Sequence, residues 1–285
     1  MMLYISLFSR YLRVEPPSGC DTVLRDRIRN SLDVPMTEIP RSHPRHASLV
    51  LREKLVEGFK QGIVAPEGLI AHGRGEMFDY LIGERTTKGS RVASRAAAAL
   101  LIQAKHPVIS VNGNVAVLCP DDIVRLSEIA RARIEIGLFH RTDERISKIQ
   151  KLLEEHGARD VLGFLPDASL PGLDHLRALC SKEGIYSSDV VLIPLEDGDR
   201  AEALVRMGKK TIAIDLNPMS RTARTASITI VDEVTRALPE LIKNIEDMRG
   251  DSKAAKHALS KYDRDENLEE IAEEMSENLE KFLER

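Results

Sequence analysis

The sequence has no tryptophan and few other aromatic residues, with five tyrosines and six phenylalanines in 285 residues. It also has no apolar run near the ~20 residues that a membrane-spanning helix needs. The apolar start MMLYISLF has no basic region before it and no small-residue cleavage site soon after it, which argues against a signal peptide. We therefore expect a protein with no membrane partner.

Positive charge is not in excess either, because the formal net charge at pH 7 is −4. A dedicated nucleic-acid-binding protein is usually basic, so a nucleic-acid partner is not expected. Hydrophobic residues make up 42% of the chain and charged residues 30%, which is typical of a soluble globular protein that buries a core.

Cysteine is scarce and widely spaced. The three cysteines, Cys20, Cys119 and Cys180, show no CxxC spacing. An odd number of distant cysteines argues against a disulfide framework and predicts buried thiols in a cytoplasmic protein. The histidines show no HExxH or similar spacing, so the sequence assigns no metal ligands.

From residue 107 onward, β-rich runs alternate with helical patterns, which predicts an α/β fold with a mainly parallel sheet. The run DVVLIPL is continuously apolar, as a central strand covered on both faces should be. Strands are predicted at 107–111, 134–139, 161–165, 189–195, 211–215 and 227–231. Helices are predicted at 49–59, 76–82, 90–105, 121–131, 142–156, 199–207 and 233–248.

These patterns divide the chain into three regions. Residues 1–35 show no sustained period and are expected to lie outside the native core, either as an accessory extension or because the biological start is Met36. Residues 36–250 are expected to form one α/β domain, whose first part, 36–106, is a helical subdomain. Residues 251–285 are expected to contain a charged amphipathic helix.

Three of the predicted strands are followed by polar segments, at 112–114, 196–200 and 215–224. Ligands of open parallel sheets bind outside the carboxyl ends of the strands, so these segments would converge on one cleft. A plainer interpretation is open for two of them. Asn-Gly and Asp-Gly are turn formers, and Asp199 could simply cap the following helix.

Two segments have a composition that suits a phosphorylated ligand. DLNPMSRTAR, at 215–224, combines hydroxyls with two guanidiniums, which bind phosphate in bidentate fashion. Asp215 begins it where doubly wound folds often hold ribose hydroxyls with an acid. In HGRGE, at 72–76, the glycines would let the chain fold tightly against a ligand. Neither GxGxxG nor GxxxxGKS/T occurs, so the common phosphate cradles are missing.

The motifs HGRGE, HPVISVNGNVA, VVLIPLEDGDRAEALVRMGKK and AIDLNPMSRTARTASITIVD closely resemble those of the archaeal phosphopantothenate synthetases. These are the 4-phosphopantoate–β-alanine ligases of coenzyme A biosynthesis, and the resemblance runs from about Ile39 to about Leu241. It implies a homodimer with a Rossmann-like core. It also implies that ATP, with Mg²⁺, adenylates 4-phosphopantoate with release of pyrophosphate, after which β-alanine displaces AMP.

The resemblance also implies which residues contact ATP. Those that match the family's motifs are Arg52, Arg74, Asp215, Leu216, Asn217, Arg221, Thr222, Glu233 and Val234. Where this chain has Glu233-Val234, the family often has Asn-Ile. The resemblance therefore does not imply a side-chain contact with ATP at 233, but a backbone contact there is compatible with the change. Arg74 and His72 are the catalytic candidates. Because two phosphorylated substrates must meet, Arg45 and Arg200 are further candidate cations.

Position alone suggests residues for the acid and the amine substrate. They are Asn112, Asn114, Asp197, Asp199 and Arg200. Which of them hold 4-phosphopantoate and which hold β-alanine stays open. His140 is one candidate for the general base and equally a structural residue, and Glu76 could either cap a helix or orient Arg74.

Two other functions would explain only some of these sequence features. A non-catalytic adenine-nucleotide-sensing module would need the same arginines but would leave 197–200 without a role. An NAD-dependent oxidoreductase would be expected to carry the glycine fingerprint that this chain lacks.

Overall fold

The computed structural model describes residues 39–173, 176–195 and 197–284. The chain divides into two units, residues 1–50 and 51–285. The described part of the first unit forms turns and then begins helix α1, and His43 Nδ1 accepts a hydrogen bond from the Arg45 N–H at 3.0 Å. The expected extension, residues 1–35, lies outside the described residues.

The first three helices overlap the predicted ones. They are α1 (His46–Lys60), α2 (Pro66–Leu81) and α3 (Lys88–Gln103), but α1 begins three residues earlier than predicted and α2 begins ten residues earlier. Pro66 begins α2 in the first turn, where its missing N–H costs no hydrogen bond. Thr87 caps α3 by accepting a hydrogen bond from the Ser90 N–H at 3.0 Å. The alanines of α3 let it pack closely in the main hydrophobic core.

Seven strands follow in the described residues: β1 (Pro107–Val111), β2 (Arg133–Ile136), β3 (Ala168–Ser169), β4 (Leu179–Cys180), β5 (Val190–Ile193), β6 (Lys210–Ile214) and β7 (Ile228–Ile230). Five of them form a parallel sheet in the order β2-β1-β5-β6-β7. At the centre of this sheet β1 pairs with β5, and Ile109 lies opposite Leu192. Every residue of β1 and β5 is buried, as expected where helices cover both faces of a sheet. The predicted parallel α/β fold is confirmed.

Helices connect the strands and begin close to the strand ends. They are α4 (Gly113–Leu118), α5 (Pro120–Ala130), α6 (Asp143–Glu155), α7 (Gly198–Arg206), α8 (Arg221–Thr225) and α9 (Val234–Met248). All of them except α5 have a side-chain cap, supplied by Asn112, Thr142, Asp197, Ser220 and Glu233. Several polar residues after the strands therefore satisfy the first N–H groups of the next helix.

The strand predicted at 161–165 is wrong. Only Leu162 pairs with the sheet, through hydrogen bonds with the backbone of Ile134 and Ile136 beside β2. Gly163 follows with φ of 106°, which an extended strand does not contain, and the chain leaves the sheet there. A short antiparallel pair, β3 with β4, forms further on and was not predicted.

The C-terminal segment contains two helices, α10 (Ser252–Ser260) and α11 (Arg264–Leu283), where one was expected. Asp263 separates them by capping α11. Leu268, Ile271 and Met275 of α11 form an apolar stripe that packs in one cluster with Ile82. No described helix is long and apolar enough to cross a membrane.

Candidate functional site at the carboxyl edge of the sheet

The sheet reverses its strand order between β1 and β5, because β2 lies on one side of β1 while β6 and β7 extend the other side. Ligands of doubly wound folds bind outside the carboxyl ends of the strands at such a switch point. The polar segments 112–114, 197–200 and 215–224 follow β1, β5 and β6, which are neighbours in the sheet. The three segments therefore lie at one edge of the sheet. That they converge on one cleft stays a prediction.

The two asparagines after β1 bind other parts of the chain. Asn112 Oδ1 accepts a hydrogen bond from the Val115 N–H at 3.0 Å and so caps α4. Asn114 Nδ2 donates to the Gly68 carbonyl oxygen of α2 at 2.8 Å. A Cβ on Gly68 would lie 2.3 Å from Asn114 Oδ1, so this close approach requires glycine. Asn114 therefore fixes the first half of α2 over the end of β1.

The prediction that HGRGE folds as a tight glycine-rich loop is wrong, since residues 72–76 lie inside α2. Neither Gly73 nor Gly75 has a positive φ. A Cβ at Gly75 would lie 3.6 Å from Leu216 Cδ1, in the turn after β6. Gly68 and Gly75 are two turns apart on one face, so α2 crosses the edge from β1 to β6. Packing along this face outweighs the roughly 1 kcal/mol that each glycine costs a helix.

Glu76 has a role that the sequence left open, because it binds Arg52 of α1. Arg52 Nη2 donates to Glu76 Oε2 at 2.6 Å, and Nε donates to both carboxylate oxygens at 3.0 and 3.1 Å. The Glu76 side chain is buried, whereas that of Arg52 is 42% exposed. The hydrogen bond to Glu76 raises the pKa of Arg52. Arg52 is thus a charged, oriented side chain with a face open to solvent.

His72 and Arg74 lie beside this pair on the same helix. His72 is half-buried, and Arg74 is exposed. Burial lowers the pKa of His72, and although the Glu76 carboxylate opposes the shift, the net direction is downward. The imidazole is therefore neutral near pH 7 and can exchange hydrogen bonds with a ligand without adding charge.

Asp215, at the end of β6, organises the turn that follows it. Its carboxylate accepts hydrogen bonds from the Asn217 N–H at 2.9 Å and from the Ser220 hydroxyl. Asn217 Oδ1 in turn accepts from the Met219 N–H at 3.0 Å. These contacts resemble an Asx turn and hold the segment close to the sheet.

The rest of this segment leads into the short helix α8. Ser220 Oγ accepts a hydrogen bond from the Ala223 N–H at 2.9 Å and caps α8. Thr222 is buried by this turn, whereas the Arg221 side chain stays 57% exposed. Arg221 forms ion pairs with Asp199 and, at 3.3 Å, with Glu202 of α7.

Arg177 is a residue of this edge that the sequence analysis missed. Its guanidinium donates to Asp199 Oδ2 at 2.6 Å and to Asp197 Oδ1 at 2.7 Å. It also lies over the Phe139 ring, 4.4 Å from the centroid. Arg177 sits in a short 3-10 turn at 176–178, in a stretch without hydrophobic period, so no sequence signal marks it.

Arg200 has a position that its charge did not suggest, because its side chain is almost completely buried. It donates to Ser110 Oγ at 3.1 Å and to the Arg177 carbonyl oxygen at 2.7 Å. A Cβ on Gly137 would lie 2.2 Å from Arg200 Nη1, so glycine makes room for the guanidinium. Arg200 therefore supports the edge from inside the protein. The cap of α7 is Asp197 and not Asp199.

At the end of β7 the carboxylates face inward. Asp232 accepts hydrogen bonds from the Thr86 hydroxyl at 2.6 Å and from Arg236 Nε at 2.9 Å, and Arg236 also binds Asp79 of α2. Glu233 caps α9 through the Thr235 N–H at 2.8 Å, and burial raises the pKa of its carboxyl group. The side chains of 232 and 233 are thus engaged within the protein.

The edge as a whole is rich in guanidiniums that carboxylates hold in position. In the described part of the chain, no group of three or more His, Cys, Asp or Glu side chains is arranged to hold a metal ion alone. Arg52, Arg74 and Arg221 have exposed or partly exposed side chains, so they can reach a ligand. Arg45 lies in the first unit, and its contribution stays a prediction.

A parallel doubly wound sheet with arginines at its carboxyl edge defines a class of α/β proteins that bind phosphorylated ligands such as nucleotides. The family assignment is more specific. The phosphopantothenate/pantothenate synthetase family matches residues 89–278. The chain belongs to this family, as the sequence motifs indicated.

Individual relatives support the assignment over most of the chain. A 4-phosphopantoate–β-alanine ligase of Methanosarcina mazei is 55% identical over 86% of this chain and 96% of its own length. The corresponding ligase of Thermococcus kodakarensis is 47% identical over 87% of this chain and 96% of its own length. That of Methanospirillum hungatei is 57% identical over 72% of this chain and 84% of its own length.

The contacts of Arg236 predict a strong effect on stability. In Arg236→Gln, the buried carboxylates of Asp79 and Asp232 lose their cation, so we expect the free energy of unfolding to fall by about 3 kcal/mol. As a control, Arg125→Gln breaks an exposed ion pair with Glu246 and should cost at most about 1 kcal/mol. Urea denaturation measures both. Equal stability of the two variants would contradict the role given to Arg236.

Proposed function

We propose that this protein joins 4-phosphopantoate to β-alanine with the energy of ATP, giving 4′-phosphopantothenate, AMP and pyrophosphate. The observation that carries the proposal is the extended match to relatives named 4-phosphopantoate–β-alanine ligases. The arginine-bearing helix α2, packed against the turn after β6, is consistent with such a reaction.

The proposed reaction has two steps, the first at the α-phosphorus of ATP and the second at the acyl carbon of the adenylate. In the first, a carboxylate oxygen of 4-phosphopantoate attacks the α-phosphorus of ATP, and the bond to the β-phosphate oxygen breaks to release pyrophosphate. In the second, the amine nitrogen of β-alanine attacks the acyl carbon, and the bond to the AMP oxygen breaks. The nucleophilic amine loses one proton in forming the amide and keeps one N–H, so a base must take up the proton that is lost.

The side chains of the edge would bind and orient the anions in this reaction. Arg52, held by Glu76, and Arg221, held by Asp199, are oriented guanidiniums that suit the triphosphate. Asp215 and Glu233 accept hydrogen bonds from their own turns. We therefore propose that the segments 215–217 and 233–234 contact ATP mainly through their backbone.

Mg²⁺ belongs to the proposal as a partner of ATP. This ion commonly binds through one or two carboxylates together with substrate phosphates and water, so it needs no dedicated cluster of protein ligands, and the described residues form none. Asp215 is the carboxylate that would contribute, since it lies among the proposed ATP residues. Bound there, the ion would neutralise charge on the phosphates.

A nucleotide-sensing module without catalysis receives no support from the relatives, which are ligases by name. A cytoplasmic location is part of the proposal and is supported by two free, buried cysteines, Cys119 and Cys180. Burial raises the pKa of the Cys180 thiol to about 12, so this cysteine stays protonated and unreactive.

The product nucleotide tests the reaction type. Incubation with ATP, 4-phosphopantoate and β-alanine should release AMP and pyrophosphate, which chromatography separates from ADP and phosphate. Omitting β-alanine should stop turnover, while exchange of labelled pyrophosphate into ATP continues because the first step is reversible. Formation of ADP and phosphate would refute an adenylate intermediate.

We also predict that the protein self-associates, because the family that it resembles consists of homodimers. The protein should sediment as a dimer at micromolar concentration. A single species near 31.8 kDa would contradict it.

Arg74 should act mainly on the transition state, where charge develops at the α-phosphorus. Loss of one preorganised donor typically lowers turnover by ~10²–10³. Arg74→Ala should therefore reduce kcat by about this factor, with a smaller rise in KM for ATP. Arg74→Lys should restore part of the loss, because lysine keeps the charge but not the planar fork.

Arg95→Ala is a suitable control for Arg74, since Arg95 is an exposed arginine on α3. It should leave kcat and the melting temperature nearly unchanged. An Arg74→Ala protein with normal melting temperature and normal kcat would show that Arg74 does not take part in the reaction.

A further inference from the structure

Five arginines at the carboxyl edge of the sheet pair with carboxylates. Arg52, Arg177, Arg200, Arg221 and Arg236 each form an ion pair with Asp or Glu. Their positive charge is thus partly balanced by the protein itself. An anionic substrate must compete with these carboxylates or bind a cation that has no carboxylate partner in the protein.

Arg141, after β2, is such a cation. Its Nη2 donates to the carbonyl oxygens of Gly163 at 2.5 Å and Phe164 at 3.2 Å. Among the described residues it forms no ion pair, and its Nε and Nη1 donate to no other group. Asp143 and the buried Glu135 act on it only at longer range. The side chain is half-buried, so an anion beside it would be weakly screened by water.

Arg145 adds a second guanidinium that is held in the same way. Its Nε and Nη2 donate to the Ile63 carbonyl oxygen at 3.2 and 3.0 Å, and Nη1 donates to the His140 carbonyl oxygen. Within the described ranges it forms no ion pair either, although Glu67 acts on it at longer range. Arg145 therefore fixes the backbone just before Arg141. Burial lowers the pKa of both arginines, but an arginine stays protonated at neutral pH.

The position of Arg141 separates it from the proposed nucleotide residues. Those residues follow β6 and β7 or lie on α1 and α2, whereas β2 is the edge strand on the other side of the switch point. Two substrates that each carry phosphate repel one another, so separate cations for each favour their simultaneous binding. Phe139, two residues before Arg141, is 48% exposed. The Arg177 guanidinium lies over its ring at 4.4 Å, and the part of the ring that remains exposed offers an apolar surface at the same strand end.

We propose that Arg141 binds the phosphate group of 4-phosphopantoate and that the Phe139 ring lies against its methyl-branched carbon. This inference rests on the proposed function. The carboxylate of this substrate must face the α-phosphorus of ATP, so the phosphate at its opposite end extends away from the nucleotide, towards β2. Arg141 is then the residue that distinguishes 4-phosphopantoate from unphosphorylated pantoate.

The test compares these two acids as substrates of the full-length protein. Arg141→Gln should raise KM for 4-phosphopantoate by ~10–100-fold, the loss expected for a hydrogen bond between charged groups. KM for ATP should be unchanged, and so should whatever turnover pantoate supports. Arg141→Lys should recover part of the preference for the phosphorylated acid. Arg133→Gln, at the amino end of β2 and paired with Glu183 at the surface, is the matched control.

The outcomes separate this inference from the function on which it rests. A wild-type protein that forms no AMP from 4-phosphopantoate would overturn both. An active wild type, with the same preference for 4-phosphopantoate in Arg141→Gln as in Arg133→Gln, would overturn this inference alone. So would an Arg141→Gln protein that loses activity towards both acids equally, since a general structural role would produce that result.

Discussion

Helix α2 is held across the carboxyl edge of the sheet by ion pairs at two successive turns. Glu76 binds Arg52 of α1, and Asp79 binds Arg236, which also binds Asp232 after β7. Removing either arginine would leave a largely buried carboxylate without a partner, which is costly in a medium of low dielectric. The positions of His72 and Arg74 relative to the strand ends depend on these pairs, because both residues lie on α2.

The same arrangement explains how an acidic protein presents a basic site. The net charge is −4, yet guanidiniums gather at one edge because carboxylates hold them there. Asp199 joins Arg177 to Arg221, and so links the segment before β4 to the turn after β6. An arginine that is already oriented needs little rearrangement when a phosphate arrives, and such preorganisation favours catalysis by charge stabilisation. Arg141 and Arg145 differ because backbone carbonyls hold them.

The parallel sheet was predictable because its signals are local. The buried run at 190–193 and the alternation of strands and helices reflect burial on both faces, and most helix starts have a capping residue. The glycines of α2 misled the prediction, because glycine favours loops when a sequence is considered alone. These glycines are explained by residues far away in the sequence, because Gly68 packs against Asn114 and Gly75 packs against Leu216.

By itself the sequence determined the fold class, the family and the strand ends at which polar residues gather, since all of these depend on residue order and local periodicity. The tertiary structure decided which charges remain available to a ligand. Arg200 and Arg141 are both arginines beside a strand end. Arg200 is buried against Ser110, whereas Arg141 has nitrogens that donate no hydrogen bond to a described residue. Nothing in their neighbouring residues distinguishes them. The difference arises from packing between segments far apart in the chain, and only the folded protein brings those segments together.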